Sequence, residues 1–256
     1  MRGVLLALLL LALPPSASGQ AILNVERLQG EQVEGIHGDF AGRLRMASGN
    51  TEFLQVGGDL GVGRLSTRHW VRVYAGAEHL DQRGKGILDN RYLHLRYSFR
   101  FSERLRTFHF FQLQTNENLF LDQRRLWGSG LRARILEGSG SRLELGSGLM
   151  LESERLNPAK LGPDEKAETT VVRMSNLAVG SGAFGEGSRW VTVVYYQPSV
   201  EGFRDYRLSA EAGLEVDLVS SLRLDVSLTW RHDSRAPAQL QEDDVALTTG
   251  FRYRIR

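Results

Sequence analysis

The sequence predicts an all-β protein, an antiparallel transmembrane β-barrel of about twelve strands, because three features coincide. Apolar and charged residues alternate with period two over long stretches, hairpin arms are unusually long, and connection lengths alternate along the chain. The clearest stretch runs from Asp205 to Arg231, DYRLSAEAGLEVDLVSSLRLDVSLTWR. Tyr206, Leu208, Ala210, Ala212, Leu214, Val216 and Leu218 form an apolar series, with Arg207, Ser209, Glu211, Glu215 and Asp217 interleaved. After Ser220-Ser221 the pattern resumes, with Leu222, Leu224, Val226, Leu228 and Trp230 opposing Arg223, Asp225, Ser227 and Arg231. Successive side chains on a strand point to opposite faces, so this is a hairpin with one greasy and one charged face. Each arm exceeds the common strand length of about 5–6 residues and approaches the ~9–11 that a tilted membrane-crossing strand needs.

The other strands follow in order. The first is expected over about Ile36–Ala47, with Phe40, Leu44 and Met46 against Asp39, Arg43 and Arg45. Ser48-Gly49-Asn50 is a turn signal. The second, about Glu52–Arg64, sets Leu54, Val56, Leu60 and Val62 against Gln55 and Asp59, and its glycines permit bending. The third, about His69–Glu78, opposes Val71, Val73, Ala75 and Ala77 to Arg72, Tyr74 and Glu78. The fourth, about Asn90–Phe101, opposes Leu93, Leu95, Tyr97, Phe99 and Phe101 to Tyr92, His94, Arg96 and Arg100. The fifth, about Thr107–Asn116, sets Phe111 and Leu113 against Gln112, Gln114 and Asn116. The sixth, about Arg124–Leu136, sets Trp127, Leu131, Ala133 and Ile135 against Arg124, Arg132 and Arg134. The seventh, about Arg142–Glu154, sets Leu143, Leu145, Leu149 and Leu151 against Arg142, Glu144, Glu152 and Glu154. A weaker eighth over about Thr169–Ala178 and a ninth over about Trp190–Gln197 precede the long hairpin. The last, about Asp244–Ile255, sets Val245, Leu247, Phe251, Tyr253 and Ile255 against Arg252 and Arg254.

Loop lengths test this reading independently. With the N-terminus in the periplasm, odd-numbered connections are extracellular and longer. The breaks Asp81–Asp89, Arg155–Glu168 and His232–Asp243 follow the third, seventh and eleventh strands, whereas Glu137–Ser141 and Ser220-Ser221 are short and follow even ones. Ser48–Thr51 is shorter, and Gly180–Ser188 longer, than the rule expects. Outward Trp127, Tyr206 and Trp230 fall near the extracellular strand ends, and Phe99, Phe101, Phe251 and Tyr253 near the periplasmic ends. Amphipathic rings favour the headgroup region at both faces.

The N-terminus carries an export signal. Arg2 precedes an apolar run, Val4 to Leu13, too short to span a bilayer; Pro14, Pro15 and the small residues Ala17-Ser18-Gly19 follow. Residues 1–19 are expected to be a signal peptide cut before Gln20, residues 20–35 a periplasmic lead-in, and 36–256 the barrel. The expected location is the outer membrane. No cysteine is present, which excludes a disulfide framework, a thiolate metal site, a thiol nucleophile and lipoprotein anchoring. Net charge is +2 with no run of Lys and Arg, so nucleic acid is not an expected partner. Mean hydropathy of −0.27 excludes a helical membrane protein but not a barrel, whose alternating strands dilute the average.

The stretches GRLRMASGNTE, RRLWGSGLRARIL, VVRMSNLAV and DYRLSAEAGLEVDL followed by LTWRHDSRAP resemble the salt-induced outer-membrane protein family, a group defined by a domain of unknown function. The resemblance spans about Gly35 to Arg256 and implies an outer-membrane barrel; it supplies no catalytic residues. Such barrels often end on an aromatic residue read by the assembly machinery, whereas this chain ends Phe251-Arg252-Tyr253-Arg254-Ile255-Arg256.

Enzymatic constellations are weak. His232-Asp233-Ser234 has the members of a triad, but sequence neighbours at a strand end cannot converge on one substrate atom. His37, His69, His79, His94 and His109 fall on different strands without metal-ligand spacing. Glu152 and Glu154 share a face but lack the supporting residues of an acid–base pair. Asp81 with Asp89, or Asp164 with Glu165, read as solvated loop charge rather than a cation site. Gly180-Ser181-Gly182 and Gly185-Glu186-Gly187 precede no helix and so form no phosphate loop.

The informative constellation is the set of charges on the inward face. Arg43, Arg45, Arg132, Arg134, Glu144, Glu152, Arg173, Arg207, Glu211, Glu215, Arg223, Asp225 and Arg252 are expected to face the lumen, together with Asp39, Asp59, Asp217 and Arg254. Charges in a low-dielectric interior must be paired or hydrated. A hydrated lumen is a narrow mixed-charge pore; a crosslinked lumen is a plugged barrel whose work is done by its loops. The expectation is a non-enzymatic barrel serving passive solute passage or envelope integrity, including osmotic stress, with no cofactor and no metal. Its expected partners are outer-membrane lipid, the barrel-assembly machinery and small solutes. The alternatives are an outer-membrane enzyme of the lipid-hydrolase type and a soluble periplasmic β-barrel or sandwich.

Overall fold

The computed structural model describes residues 34–47, 53–82, 85–138, 140–219 and 221–255. The expected signal peptide, nearly all of the lead-in and the Ser48–Thr51 turn lie outside the described residues. The strands are β1 (Gly35–Ala47), β2 (Phe53–Leu65), β3 (His69–Gln82), β4 (Lys85–Phe99), β5 (Leu105–Asn116), β6 (Leu121–Gly138) and β7 (Ser141–Leu156). They continue with β8 (Glu168–Met174), β9 (Asn176–Ala183), β10 (Ser188–Pro198), β11 (Tyr206–Val219), β12 (Leu222–Asp233) and β13 (Asp243–Ile255).

Every neighbouring pair is antiparallel, and the ladder closes on itself. Consecutive strands pair from β1 to β7, β7 pairs with both β8 and β9, pairing runs on from β9 to β13, and β13 returns to β1 with Phe40 opposite Tyr253. The segments β8 and β9 are two halves of one position: the Ser175 amide between them donates to the Gly148 carbonyl at 2.8 Å, so the ladder to β7 is unbroken. Thirteen segments thus fill twelve positions of a closed barrel. Closure leaves no edge strand with unpaired backbone groups, which is what allows strands to lie in hydrocarbon.

The alternation drives this arrangement. Leu131, Leu149, Leu228 and Leu247 stand more than half exposed on the outer face, within a belt of exposed Val, Leu, Phe and Tyr contributed by most of the strands. An apolar surface of this extent is unstable in water and matches a lipid-facing wall. The intervening positions, among them Asp59, Arg72, Glu152, Arg207 and Glu215, are buried inside. Two aromatic bands mark the ends: Phe99 and Phe101 pack edge to face at 5.0 Å near one rim, with Phe251 and Tyr253 at the same end, and Tyr206 and Trp230 lie near the other.

Connections separate into two classes by end. The described connections 66–68, 100–104 and 184–187 turn at one end, where β6 also leads to β7 and β11 to β12, and none of the three spans more than five residues. The opposite end carries 117–120, 157–167, 199–205 and 234–242. Two sequence expectations need correction. Asp81–Asp89 is not a loop: β3 and β4 run on with Leu80 opposite Leu88 and Gln82 opposite Lys85. Backbone hydrogen bonding does not require alternating residue types, so the ladder runs on past the end of the sequence pattern. Gly180–Ala183 likewise belongs to β9, because the Trp190 ring lies against Gly180 and Gly182, where a Cβ on Gly182 would approach the indole nitrogen to 2.7 Å.

Candidate functional site: an ion-paired lumen

Charge on the inner wall is organised into two networks, one at each end. At the short-turn end, Glu144 on β7 is only 3 % exposed. It accepts from Arg106 of β5 at 2.6 Å and forms ion pairs with Arg132 of β6 at 2.5 Å and with Arg134 and Arg142 at 3.9 Å each. Arg134 and Arg142 also share Glu137, at 2.6 and 3.0 Å. Across β9 and β10, Glu215 on β11 meets Arg189 at 2.8 Å, Arg223 at 3.4 Å and Arg252 at 3.6 Å. Arg223 further pairs with Asp217, and Arg252 with Asp225 at 3.1 Å. Between these clusters opens a cavity of about 740 Å³, floored in part by Val179, Ser181 and Val191.

At the long-loop end the centre is Arg207, on β11. It donates Nη1 to Glu152 at 2.5 Å, Nη2 to Glu154 at 2.9 Å and Nε to Asp233 at 2.9 Å. Glu152 and Glu154 lie on β7, three barrel positions from β11, so this side chain spans the lumen rather than bridging neighbours. Glu152 also accepts from Arg173 at 3.0 Å, Arg173 reaches Asp205 at 2.7 Å, and Glu154 pairs with Arg124. Buried carboxylates carry a desolvation cost that only close, multiple pairing offsets.

Midway, the wall becomes apolar. Phe108, Phe110, Leu126, Met150, Leu177, Val179, Val191, Val193 and Tyr195 form one buried cluster on β5, β6, β7, β9 and β10. Phe108 and Phe110 fit because β6 presents Gly130 and Gly128 beneath them; a Cβ on Gly130 would stand 2.6 Å from the Phe108 ring. His94, Arg96, Phe108 and Phe110 enclose with Ser175, Leu177 and Tyr195 an interstice with room for about 10 Å³. That is about one water probe, so opposite walls meet here. On the other flank Arg43 pairs with Asp59, which also accepts from the Tyr92 hydroxyl at 2.8 Å.

The residues singled out from the sequence divide among these places. Arg132, Arg134, Glu144, Glu215, Arg223, Asp225 and Arg252 stand in the short-turn network, Glu152, Arg173 and Arg207 in the long-loop one, and Arg43 on the flank. Glu211 is half-buried on β11, opposite Thr229 of β12. The Arg45 and Arg254 side chains lie outside the described residues. Sequence reasoning missed Arg106 and Arg189 because each sits just before the expected start of its strand. It missed the apolar band because VTVVYY and FHFF place apolar residues on both faces and hide the alternation.

The would-be triad diverges. Asp233 turns inward to Arg207, His232 outward to Asp243 at 3.1 Å, and the Ser234 hydroxyl accepts from the Tyr206 amide at 2.8 Å. Glu152 and Glu154 are bound into ion pairs. Among the described residues no three His, Asp or Glu side chains converge as a metal site requires. The long connections touch one another: Glu165 accepts the Gly162 amide at 2.6 Å and the Ala238 amide at 2.7 Å, tying 157–167 to 234–242. The Ala238 and Gly162 amides hold the Glu165 carboxyl below its ordinary range.

Comparison with known proteins places this architecture. Among solved structures, the NanC porin matches with a TM-score of 0.52 at 6% identity, covering 86% of this chain and 100% of that one. The KdgM porin gives 0.46 at 8% identity, covering 87% and 100%. The translocator domain of autotransporter NalP from Neisseria meningitidis gives 0.47 at 13% identity, covering 86% and 87%. At 6% identity the likeness to the NanC porin is one of fold alone, that of an outer-membrane β-barrel. No curated protein matches the chain. The family described as "Protein of unknown function, DUF481" matches residues 44–255, and with the closed, lipid-faced barrel just described, the chain belongs to that family.

Proposed function

We propose that this protein is a non-enzymatic outer-membrane barrel providing narrow, passive passage for small polar solutes, exported through its N-terminal signal and oriented with the short turns in the periplasm. The single observation that carries the reading is a chamber of about 740 Å³ at the short-turn end of the lumen, lined by charged side chains among which Arg142 and Arg189 are partly exposed. Partly exposed charges on a cavity of this size are hydrated, and a hydrated charged path admits polar solutes. Solute leak of this kind is also the activity by which such a barrel would serve osmotic adaptation. Lipid is its outer partner, and the assembly machinery inserts it.

A second reading is favoured by Arg207 and the apolar band: the side chains that meet across the lumen plug it, and the latched loops 157–167 and 234–242 carry the work. Planar-bilayer conductance decides, on protein whose unboiled and boiled gel bands differ. Discrete steps support the pore. A silent bilayer from folded protein sinks it and leaves the plugged barrel.

A further inference from the structure

We propose that the chamber at the short-turn end is a binding site for small organic anions bearing carboxylate or phosphate groups. In the ion pairs around this chamber, among the described residues, seven guanidiniums share five carboxylates. Around Arg207 the opposite holds, with three guanidiniums among four carboxylates. Charge on the chamber wall itself is balanced, with Arg132, Arg142, Arg189 and Arg223 beside Glu137, Glu144, Glu215 and Asp217, and the surplus lies in the residues behind it.

Two of these arginines are placed to hold a ligand. On the floor, Ser181 of β9 stands opposite Arg142 of β7, and Ala183 of β9 opposite Arg189 of β10. The two guanidiniums thus flank a strip of small residues, and both line the chamber. Their side chains are 35% and 30% exposed, unlike the sequestered Arg132. Each forms its close ion pair through one terminal nitrogen, Arg142 with Glu137 at 3.0 Å and Arg189 with Glu215 at 2.8 Å. A guanidinium has five N–H donors in a fork that matches a carboxylate or phosphate edge, so each of these partly exposed arginines has terminal donors beyond its close pair. Buried Val179 and Val191 supply an apolar surface for the ligand body, and a volume of about 740 Å³ lies within the range of small-molecule sites.

The experiment is titration calorimetry of the folded, detergent-solubilised barrel with citrate, sodium chloride at matched ionic strength, and glycine betaine. Citrate is expected to bind, and the R142Q/R189Q double variant to bind it about tenfold or more weakly. Both substitutions should leave the fold intact: Glu137 is half exposed, and Glu215 keeps Arg223 and Arg252. If the double variant does not show the heat-shifted band, R142Q alone serves the same comparison. No heat from citrate up to about 50 mM, equal binding by wild type and variant, or the same heat from sodium chloride would each overturn the site. Betaine binding as tight as citrate would overturn the anion assignment. The site does not need ion flow. Citrate binding by a barrel silent in bilayers removes the pore and keeps this inference; conductance without citrate binding does the reverse.

Discussion

Replacing Arg207 with alanine tests whether the bar across the lumen holds the barrel together. The side chain makes three charge-assisted hydrogen bonds, at 2.5, 2.9 and 2.9 Å, to Glu152, Glu154 and Asp233. At ~1.5–3 kcal/mol each, their gross value is about 4.5–9 kcal/mol. Part is recovered in the variant, because Glu152 keeps Arg173 and Glu154 keeps Arg124. Glu152 is 1% exposed, so water cannot replace the lost cation. The expected loss is that of a broken buried pair, about 3–5 kcal/mol. Urea unfolding in lipid vesicles, followed by the heat-shifted gel band, should show a lower midpoint at unchanged slope. A loss below about 1 kcal/mol would refute the reasoning, since it would mean the outer carboxylates are hydrated and not clamped. The same variant should widen the conductance step and move selectivity toward cations, because the local balance falls from three Arg against four carboxylates to two. R207M combined with E152Q, which removes both charges of the closest pair, should recover much of the stability while keeping the wider step.

Three further outcomes are expected. Leu228→Arg on the outer face of β12 should cost about 2–4 kcal/mol in vesicles if it lies at the bilayer midplane, and folding yields across vesicles of increasing thickness would check it. Gly76→Ala should destabilise by about 1–3 kcal/mol, because its Cβ would strike the Tyr92 ring and lie 2.5 Å from Asp59 Oδ1, whereas Gly58→Ala meets nothing nearer than 3.7 Å and should be nearly neutral by urea midpoint. The Glu165 latch should be pH-sensitive. Its folded carboxyl titrates below the ordinary 4.5, so the latch is complete above that value and is lost as pH falls through the folded one. Because the chain has no cysteine, spin labels on K166C and Q241C report it directly: their distance distribution should broaden in acid, and E165Q should be broad at neutral pH. A narrow distribution in E165Q would exclude the latch.

Much of the architecture was legible in the residues. Alternation in the β11–β12 hairpin assigns each side chain to lipid or lumen without reference to any other strand, since the period of a strand is a local property. Connection parity was also readable, and Gly180–Ser188 departed from it only because glycines dilute the pattern that β9 continues. Long-range pairing was not readable. Nothing in the spacing of Glu152, Glu154 and Arg207 says that they touch, because their meeting depends on barrel curvature and strand stagger.

The sequence by itself determined an all-β chain of long amphipathic strands, an apolar outer face, charged inner positions and a turn at nearly every hairpin, since each is decided by neighbours within a few residues. Only the tertiary structure decided that Arg207 bars one end of the lumen, that an apolar band joins the walls, and that arginines and carboxylates gather around a chamber at the other end. Those features arise where residues distant in the chain are brought within ion-pair range, and a one-dimensional pattern carries no information about which carboxylate a guanidinium will meet.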